Sequence, residues 1–332
     1  MVKKILRILG LCVMACAILV FAMRGMIGIS FLMGDKNFYP PAGRIVSPET
    51  SSFNFTILSD TGSQNKTLER LILDARYRTE PEFMLHLGDL IVYRNIEHLY
   101  WMLDEVNDKL EGIPMYFIPG NHDVKKKTGV DKTIYSRVLG PLYYWFGYGN
   151  TLFVGLDSST EEIDDAQWAF FEQVMTKIRP KFKHVVLFTH VPPVVPEGDH
   201  PHTLKPEHAA KMAKMLKKYP VSVIFSGHLH YYSEQNFNDI PVYTVPPSGQ
   251  YFAGPICKYG YLNVTVDKKG IHVENIYSDE KKRSEFWEIL FVDLVMTDKI
   301  RWIAGGVLLG GFLIWLFGQR WFRIPLTKRK KN

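Results

Sequence analysis

The sequence predicts an α/β domain that lies between two apolar terminal segments. Segments with strand-like and helix-like hydrophobic patterns alternate from residue 52 to residue 282. Polar side chains suited to metal binding or proton transfer follow directly on five of the predicted strands. Such an alternation is typical of a sheet or a pair of sheets flanked by helices, and ligands bind at the carboxyl ends of the strands.

The basic charge of the chain is concentrated in its two termini. Residues 1–34 and 301–332 hold eleven of the 40 basic residues and none of the 34 acidic ones, so that 29 basic residues face 34 acidic ones in between. A nucleic-acid-binding domain carries its basic excess itself. The sequence therefore predicts no nucleic acid as a partner, and the terminal charges need another explanation.

Each terminus also contains an uncharged apolar run. Residues 8–23 form a run of 16 uncharged residues, and residues 302–319 form a run of 18. A helix crosses a bilayer with about 20 apolar residues, so we predict transmembrane helices within residues 1–34 and 301–319. A cleaved signal peptide is the alternative at the N-terminus, although no Ala-x-Ala site precedes Arg24.

Basic residues flank both predicted helices, because three precede the first one and a basic tail over residues 320–332 follows the second. The positive-inside rule then places both termini in the cytoplasm and the domain on the extracytoplasmic side of the membrane. The reverse topology is the alternative. Gly306 and Gly310 form a pair of small residues that would let the two helices pack closely.

The elements of the domain are predicted in a regular order. Residues 35–51 contain three prolines and are predicted as an extended linker. In the domain over residues 52–282, strands are predicted at 53–58, 83–87, 114–118, 143–157 (a hairpin), 184–188, 221–225, 240–245, 261–266 and 271–277, the last three as antiparallel strands, and helices at 66–77, 96–110, 164–178 and 206–218. Residues 283–300 are predicted to form an amphipathic connector that lies on the membrane surface or packs on the domain.

Five predicted strands end in side chains that bind metals or move protons. These side chains belong to Asp60, Asp89, Asn121, His122, Asp123, His190, His228 and His230. Each one alone has a structural explanation as a turn former, a helix cap or a buried histidine. Five strands that end in the same way instead indicate one shared site. Carboxylate, imidazole and amide ligands without thiolate favour divalent Mn, Fe or Zn, with the choice among them left open.

A carboxylate shared between two such ions would hold them about 3.5–4 Å apart, as in two-metal phosphoryl-transfer sites. A water between the ions would be deprotonated near neutral pH and would attack a phosphorus atom in line, while the ions neutralise charge on the phosphoryl oxygens. The ligand set therefore predicts hydrolysis of a phosphoric ester.

These residues, with a glycine before Asp89, Asn121 and His228, resemble the five-block signature of the calcineurin-like metallophosphoesterases over about 180 of the 332 residues. The resemblance implies a four-layer α/β/β/α sandwich with two divalent metal ions at the strand ends. It implies six metal ligands: Asp89 as the bridge, Asp60 and His230 on the first metal, and Asn121, His190 and His228 on the second. It also implies that His122 donates a proton to the leaving oxygen or stabilises the transition state, and that Asp123 orients His122.

The first block departs from the family pattern, which usually reads Asp-x-His or Asp-x-Asp. Gly62 stands at the last position here and leaves the first metal one ligand short. Purple acid phosphatases share Asp-x-Gly and complete the site with a tyrosine, and the nearest equivalent is Tyr93, one residue later than in that family. Tyr93, Gln64, Asn65 or a water is predicted to fill the gap. A weak first site with partial metal loading is the other alternative.

Together these features predict a membrane-anchored, metal-dependent phosphoesterase that hydrolyses a phosphomonoester or a phosphodiester. A lipid-linked phosphate is a candidate substrate, because anchors at both ends would keep the site near the bilayer. The alternatives are a tethered phosphatase or nucleotide phosphodiesterase with a soluble substrate, and a catalytically silent membrane scaffold. Gly62 favours the scaffold, and the intact ligand set favours the enzyme.

Overall fold

A computed structural model describes most of the domain and a few residues of each terminus. The described residues are 8, 10–12, 14, 15, 17–19, 22, 38–92, 96–126, 129–197, 202–250, 258–278, 306, 307 and 309–311. The chain divides into two compact units, one formed by Met1–Met33 with Phe286–Asn332 and the other by Gly34–Glu285. The domain predicted over residues 52–282 lies within the second unit.

Strands and helices alternate along the second unit. The strands are β1 (Ile45–Val46), β2 (Phe53–Leu58), β3 (Phe83–His86), β4 (Met115–Phe117), β5 (Lys125–Lys126), β6 (Gly129–Val130), β7 (Tyr144–Tyr148), β8 (Thr151–Gly155), β9 (His184–Phe188), β10 (Val223–Ser226), β11 (Ser233–Phe237), β12 (Ile240–Thr244), β13 (Gly260–Val266) and β14 (Ile271–Tyr277). The helices are α1 (Asn65–Thr79), α2 (Ile96–Leu110), α3 (Asn121–Val124), α4 (Thr133–Leu139), α5 (Asp165–Lys177) and α6 (Pro206–Lys218).

The strands form two main sheets. The larger sheet has the strand order β1-β7-β8-β9-β10-β12-β11, the smaller one has the order β14-β13-β2-β3-β4, and β5 pairs with β6 in a separate hairpin. β2, β3 and β4 run parallel to one another, as do β8, β9, β10 and β12. The carboxyl ends of the strands in each parallel set therefore meet at one edge of their sheet.

The main core lies between the two sheets and is rich in aromatic side chains. Alternate residues of β2 face this core, because side chains along a strand point to opposite faces in turn. The Phe55 ring from the smaller sheet meets the Phe153 ring from the larger sheet edge-on at 5.1 Å, and Phe83 meets Phe146 in the same way at 5.5 Å. Burying each of these rings contributes about 1.5–3 kcal/mol to the free energy of unfolding.

Helices cover the outer face of each sheet. Trp168 and Phe171 of α5 and Met212 and Leu216 of α6 pack in a second core against alternate residues of β8 and β9, such as Val154. On the other side, α1 packs on β2 and β13, and α2 packs on α1. The predicted four-layer α/β/β/α sandwich is confirmed.

Part of the segment that was predicted as a linker belongs to the domain. The Phe38 side chain is buried and lies edge-on to the Phe117 ring at 5.8 Å. The Gly43 N–H donates a hydrogen bond to the Trp145 carbonyl, and β1 pairs with β7. The prolines lie in or beside turns of this segment, and apolar burial and strand pairing attach residues 38–51 to the domain.

The terminal unit is described at only some positions. Gly10 and Gly311 are buried there, and a Cβ atom on Gly10 would lie 3.5 Å from the Gly311 carbonyl oxygen. A Cβ atom on Gly306 or Gly310 would meet no atom within 4 Å among the described residues, so the role predicted for this pair stays a prediction.

Several predictions about the termini concern residues outside the described ranges. This applies to most of the predicted helices over residues 1–34 and 301–319, to the connector at 283–300 and to the basic tail at 320–332. Among the residues that the structure describes, none of the helices combines the length and the apolar composition needed to cross a membrane.

A pair of glutamates between α1 and α2 predicts that stability depends on pH. Burial raises the pKa of Glu69 to about 7, helped by a hydrogen bond and the negative charge of Glu105. The fold therefore favours protonated Glu69: its contribution to the free energy of unfolding is complete below about pH 4.5 and is lost as the pH rises to about 7. Glu69→Gln should stabilise the protein at pH 8, because it removes the negative charge that the fold disfavours. The gain in the free energy of unfolding should be only about 1 kcal/mol, because solvent screens the interaction between two half-buried side chains.

Urea unfolding of the full chain between pH 4.5 and 8 measures this effect. The exposed Glu49 provides the control, because Glu49→Gln should leave the pH profile of the wild type unchanged. Equal profiles for Glu69→Gln and the wild type would contradict the assignment.

Candidate metal centre

Five loops at the carboxyl ends of strands carry the predicted site residues. Three loops follow β2, β3 and β4 of the smaller sheet, and two follow β9 and β10 of the larger sheet. The side chains on these loops are those of Asp60, Asp89, Asn121, His122, Asp123, His190, His228 and His230. The two sheets therefore contribute ligands of complementary chemistry, with the carboxylates and the amide on one sheet and three of the histidines on the other.

Four of these residues have a left-handed backbone conformation. The φ angles are 53° at Asp60, 55° at Asp89, 72° at His228 and 57° at His230. Residues other than glycine rarely adopt this backbone conformation, because it costs on the order of 1–3 kcal/mol per residue. It persists only where surrounding contacts maintain it. One such contact is the hydrogen bond from the Asp60 N–H to the Gly88 carbonyl at 3.0 Å. Strain of this kind is typical of functional sites.

The side chains converge in two groups that share one carboxylate. Asp89, His190 and His228 form one group, and Asp60, Asp89 and His230 form the other, with the ligand atoms of each group within 4.8 Å of one another. The group with His190 matches the second metal site implied by the sequence resemblance, and the group with Asp60 matches the first. Asp89 is the member common to both, as a bridging ligand must be.

In the group around His190, the lone pair on Nε2 of His190 faces the oxygen atoms of two other side chains. Nδ1 of His190 lies 2.7 Å from the Leu87 carbonyl oxygen and donates its proton there. Nε2 then offers a lone pair, yet it lies 3.0 Å from Asn121 Oδ1 and 3.6 Å from Asp89 Oδ1. Three electron-rich atoms facing one another repel, and a cation between them removes the repulsion. The contact also places Asn121 with this group.

In the group around Asp60, one carboxylate oxygen is satisfied and the other is not. Oδ2 accepts a hydrogen bond from the His228 N–H at 2.9 Å. Oδ1 is buried, lies 3.4 Å from His230 Nε2, and has no hydrogen-bond partner among the residues that the structure describes. A buried acceptor without a partner indicates a missing ion or water. The residues of both groups thus fit divalent cations.

Three buried carboxylates give the site a negative charge that needs compensation. Burial raises the pKa of Asp89 well above its usual range, and the charges of Asp60 and Asp123 raise it further. Burial likewise raises the pKa of Asp123 to about 6, although backbone hydrogen bonds oppose the shift. Burial acts in the same direction on Asp60, but the imidazole of His230 at 3.4 Å and the charge of His190 outweigh it and hold the Asp60 pKa below its usual range.

The histidines of the group around His190 are neutral at pH 7. Burial lowers the pKa of His228 to about 3, and the charge of His190 contributes to the shift. Burial also lowers the pKa of His190. Neutral imidazoles offer a lone pair to a metal without first losing a proton. The electrostatics therefore suit cations, which would compensate the carboxylates and use these lone pairs.

Comparison with known proteins identifies the family. The profile of the calcineurin-like phosphoesterases matches residues 53–232, which is more than half of the chain. The chain belongs to the calcineurin-like phosphoesterase family. The match begins at β2 and ends just after His230, so it covers all five loops of the site. The prediction of a metal-dependent phosphoric ester hydrolase is confirmed at the level of this family.

Individual relatives share the domain. A probable glycerophosphodiester phosphodiesterase of Arcobacter nitrofigilis is 28% identical over 191 residues, which are 52% of this chain and 66% of that protein. A purple acid phosphatase from yellow lupin has the same fold, with a TM-score of 0.56, 15% identity and coverage of 74% of this chain and 54% of its own. GAP50 of Plasmodium, the anchor in the inner membrane complex, has a TM-score of 0.53, 12% identity and coverage of 75% and 96%.

His122 lies at the exposed rim of the calcineurin-like site. Its backbone N–H donates to Asp89 Oδ1 at 2.7 Å, its Nε2 lies 3.9 Å from Asp89 Oδ2, and its side chain is 41% exposed. The ring is therefore next to the bridging carboxylate and accessible to a bound substrate. This position suits the predicted proton donor.

Asp123 makes backbone contacts that were not predicted. Its Oδ2 accepts hydrogen bonds from the backbone N–H groups of Asp89 and Gly120, both at 2.9 Å, and its Oδ1 accepts one from Ile91 at 3.2 Å. Bonds to three backbone groups use the carboxylate to join the loops after β3 and β4. The geometry supports Asp123 as a positioning residue for Asp89, and its role in orienting the imidazole of His122 stays a prediction.

Two further histidines, His86 and His202, lie near the site. His86 is fully buried at the end of β3, and its Nε2 lies 2.8 Å from Thr61 Oγ1 in the loop that carries Asp60. The His202 ring is exposed and lies edge-on to the His228 ring at 5.7 Å. A histidine within an apolar strand, such as His86, carries no local signal of this placement, whereas the loop that holds His202 directly follows His190 in the sequence. Tyr93, the proposed compensating ligand, lies outside the described residues.

Gly227 allows the loop after β10 to approach the loop after β2. A Cβ atom on Gly227 would overlap Ser59 Oγ and would lie 2.7 Å from Asp60 Oδ2. Gly227→Ala should therefore lower the free energy of unfolding by about 1–3 kcal/mol, the usual cost of overpacking, and weaken metal binding. Urea unfolding and metal titration measure the two effects. Adding Ser59→Gly should restore part of the stability, and a double variant no more stable than Gly227→Ala would contradict the steric explanation.

Proposed function

We propose that the domain hydrolyses a phosphomonoester or a phosphodiester with the help of two divalent metal ions. The observation that carries the proposal is the pair of ligand groups that share Asp89. Asp60 and His230 would hold one ion with Asp89, and Asn121, His190 and His228 would hold the other. When bound, such a pair of ions supplies water of lowered pKa and positive charge for the phosphoryl oxygens.

His122 would protonate the leaving oxygen of the substrate. Its ring is exposed beside Asp89, so that a phosphoryl group placed over the two ligand groups lies within its reach. A general acid must lie within hydrogen-bond reach of the leaving oxygen, and the position of the ring beside Asp89 meets this requirement. Asp123 would keep Asp89 in place through the backbone bonds described above.

Metal content and hydrolysis of the full chain test this proposal together. The expected result is about two ions of Mn, Fe or Zn per chain, with turnover of p-nitrophenyl phosphate or bis-p-nitrophenyl phosphate that chelator treatment removes and added metal restores. One ion or none, without turnover in added Mn²⁺, would overturn the proposal. The silent scaffold would then be favoured, because Gly62 removes a ligand and the GAP50 anchor shares the fold.

The membrane anchors and the topology are part of the proposal. The apolar runs at both ends and the basic residues outside them support two terminal helices with cytoplasmic ends, and the contact between Gly10 and Gly311 supports close packing of the two segments. The Tyr77 side chain is exposed on α1. An impermeant maleimide should label Tyr77→Cys in intact cells and Asn332→Cys only after permeabilisation. The opposite pattern would reverse the topology.

A substrate with a phosphodiester or pyrophosphate linked to a lipid fits a site that is anchored at both ends of its chain. The Arcobacter relative, named as a probable glycerophosphodiester phosphodiesterase, supports a phosphodiester as the reacting group. Assays on lipid-linked phosphates in mixed micelles, set beside glycerophosphodiesters and nucleotides in solution, separate the candidates. A higher kcat/KM for the soluble compounds would favour the tethered enzyme with a soluble substrate.

A further inference from the structure

The loop after β12 is attached to the loop that carries Asp60. The Ser248 N–H donates a hydrogen bond to the Ser59 carbonyl at 2.7 Å, and the Gln250 N–H donates one to the Asp60 carbonyl at 2.8 Å. Two consecutive backbone bonds of this kind fix the position of Gln250 relative to the carboxylate of Asp60. The Gln250 side chain therefore starts from a defined point at the edge of the site.

That side chain fills the space that a side chain at position 62 would occupy. A Cβ atom on Gly62 would lie 2.8 Å from both Cβ and Cγ of Gln250 and 3.0 Å from its Cδ. The Gly62 N–H donates a hydrogen bond to the Asp89 carbonyl at 2.9 Å. The Gln250 side chain thus packs against Gly62, and Gly62 is hydrogen-bonded to Asp89, the proposed bridging ligand.

The amide oxygen of Gln250 is an unused acceptor. Its Oε1 is buried and has no hydrogen-bond partner within the described part of the chain. A buried carbonyl oxygen without a partner destabilises a fold, so a native structure keeps one only where water, an ion or a function satisfies it. The neighbouring Asp60 Oδ1 is in the same condition. The two unsatisfied oxygens belong to residues that a backbone hydrogen bond joins, from the Gln250 N–H to the Asp60 carbonyl, so one cation could satisfy both.

We infer that Gln250 Oε1 is a ligand of the cation held by Asp60, Asp89 and His230. This inference rests on the proposed function, because it assigns a residue to one of the two metal sites. Three side chains alone leave a divalent ion with open coordination positions, and a neutral amide oxygen is an accepted ligand for Mn, Fe or Zn. Gly62 makes the room, and Gln250 supplies the oxygen from a distant part of the sequence.

Asn65 is the competing source of an amide oxygen. Both polar atoms of its side chain are buried without a hydrogen-bond partner among the described residues. Asn65 is the first residue of α1. The side-chain carbon atoms of Gln250, by contrast, occupy the position of the side chain that Gly62 lacks. The geometry therefore favours Gln250, and the experiment includes Asn65 as the alternative.

Metal titration of the chelator-treated full chain tests the inference without relying on activity. Mn²⁺ binding is followed by calorimetry and by electron paramagnetic resonance, which distinguishes a coupled pair of Mn²⁺ ions from a single ion. Gln250→Met keeps the volume over Gly62 but removes the oxygen, whereas Gln250→Glu keeps an oxygen in place. Asn65→Leu tests the competitor, and Gln173→Met on the exposed face of α5 is the matched control.

The expected result is selective weakening of one of the two sites. Gln250→Met should bind one Mn²⁺ ion as the wild type does and the other at least about tenfold more weakly, the scale on which metal sites respond to lost supporting groups. The signal of the coupled pair should disappear at limiting Mn²⁺. Gln250→Glu, Asn65→Leu and Gln173→Met should bind two ions and give the coupled signal.

Two results would overturn the inference while the proposed function stands: wild-type binding by Gln250→Met, or a loss of one site in Asn65→Leu with none in Gln250→Met. Absence of any Mn²⁺ binding in the wild type would instead overturn the proposed function itself, and the inference with it. The wild-type titration alone separates these cases. Melting curves of the metal-free variants confirm that each one is folded before titration.

Discussion

Asp89→Asn is expected to abolish tight metal binding at both sites. Asp89 is the member common to the two ligand groups, and a neutral amide cannot compensate two cations as a carboxylate does. Asparagine is the appropriate replacement because it tolerates the left-handed backbone at this position, where φ is 55°. We expect the affinity of each site for Mn²⁺ to fall by at least about 100-fold, the upper end of the range for lost supporting groups, as measured by calorimetry on the chelator-treated chain.

The same substitution should stabilise the metal-free protein. Burial and the charges of Asp60 and Asp123 raise the pKa of Asp89 well above its usual range. The folded state therefore favours protonated Asp89, and stability is lost as the pH rises from the unfolded pKa near 4 through the folded pKa. Metal-free Asp89→Asn should exceed the metal-free wild type in free energy of unfolding at pH 8 and equal it near pH 4. A variant less stable at pH 8 would show that Asp89 maintains the fold without metal.

Elements with a strong local pattern could be predicted from the sequence. Helices α2 and α6 and strands β9 and β14 begin and end at the predicted residues. Pro206 at the first position of α6 marks its start, because the missing N–H has no partner there in any helix. In these segments the local pattern and the burial in the folded domain agree, so the sequence alone is sufficient.

Elements that depend on distant pairing could not be predicted. β11 contains one apolar residue at its end and forms because it pairs antiparallel with β12 across a turn at Asn238 and Asp239, both with positive φ. β12 was predicted to be only antiparallel, yet it also pairs parallel with β10. Strand pairing of this kind depends on neighbours from other parts of the chain.

The candidate site shows the same division. The ligand types and their positions after strands could be predicted, because parallel strands bring their carboxyl ends together. The contacts of Asp123 and the placement of Gln250 over Gly62 could not, because both depend on how loops from separate strands pack. Such packing leaves no periodic signal in the sequence.

His122→Ala is expected to reduce turnover while both metal sites remain intact. The ring stands at the rim of the site, and the backbone N–H that donates to Asp89 Oδ1 is retained in alanine. For a phosphodiester with an alkyl alcohol as the leaving group, kcat should fall by roughly 10²–10⁴, the usual contribution of a general acid. Steady-state kinetics measure this fall, and Mn²⁺ titration of the same variant should match the wild type.

The leaving group separates proton donation from a purely electrostatic role of His122. A p-nitrophenolate ion leaves without being protonated, so His122→Ala should lose much less activity on bis-p-nitrophenyl phosphate than on the alkyl diester. The acid donor should also produce a fall in kcat at high pH for the alkyl diester in the wild type, and the variant should lack this fall. Equal losses on both substrates would contradict proton donation and would indicate that the imidazolium stabilises charge on the phosphoryl group in the transition state.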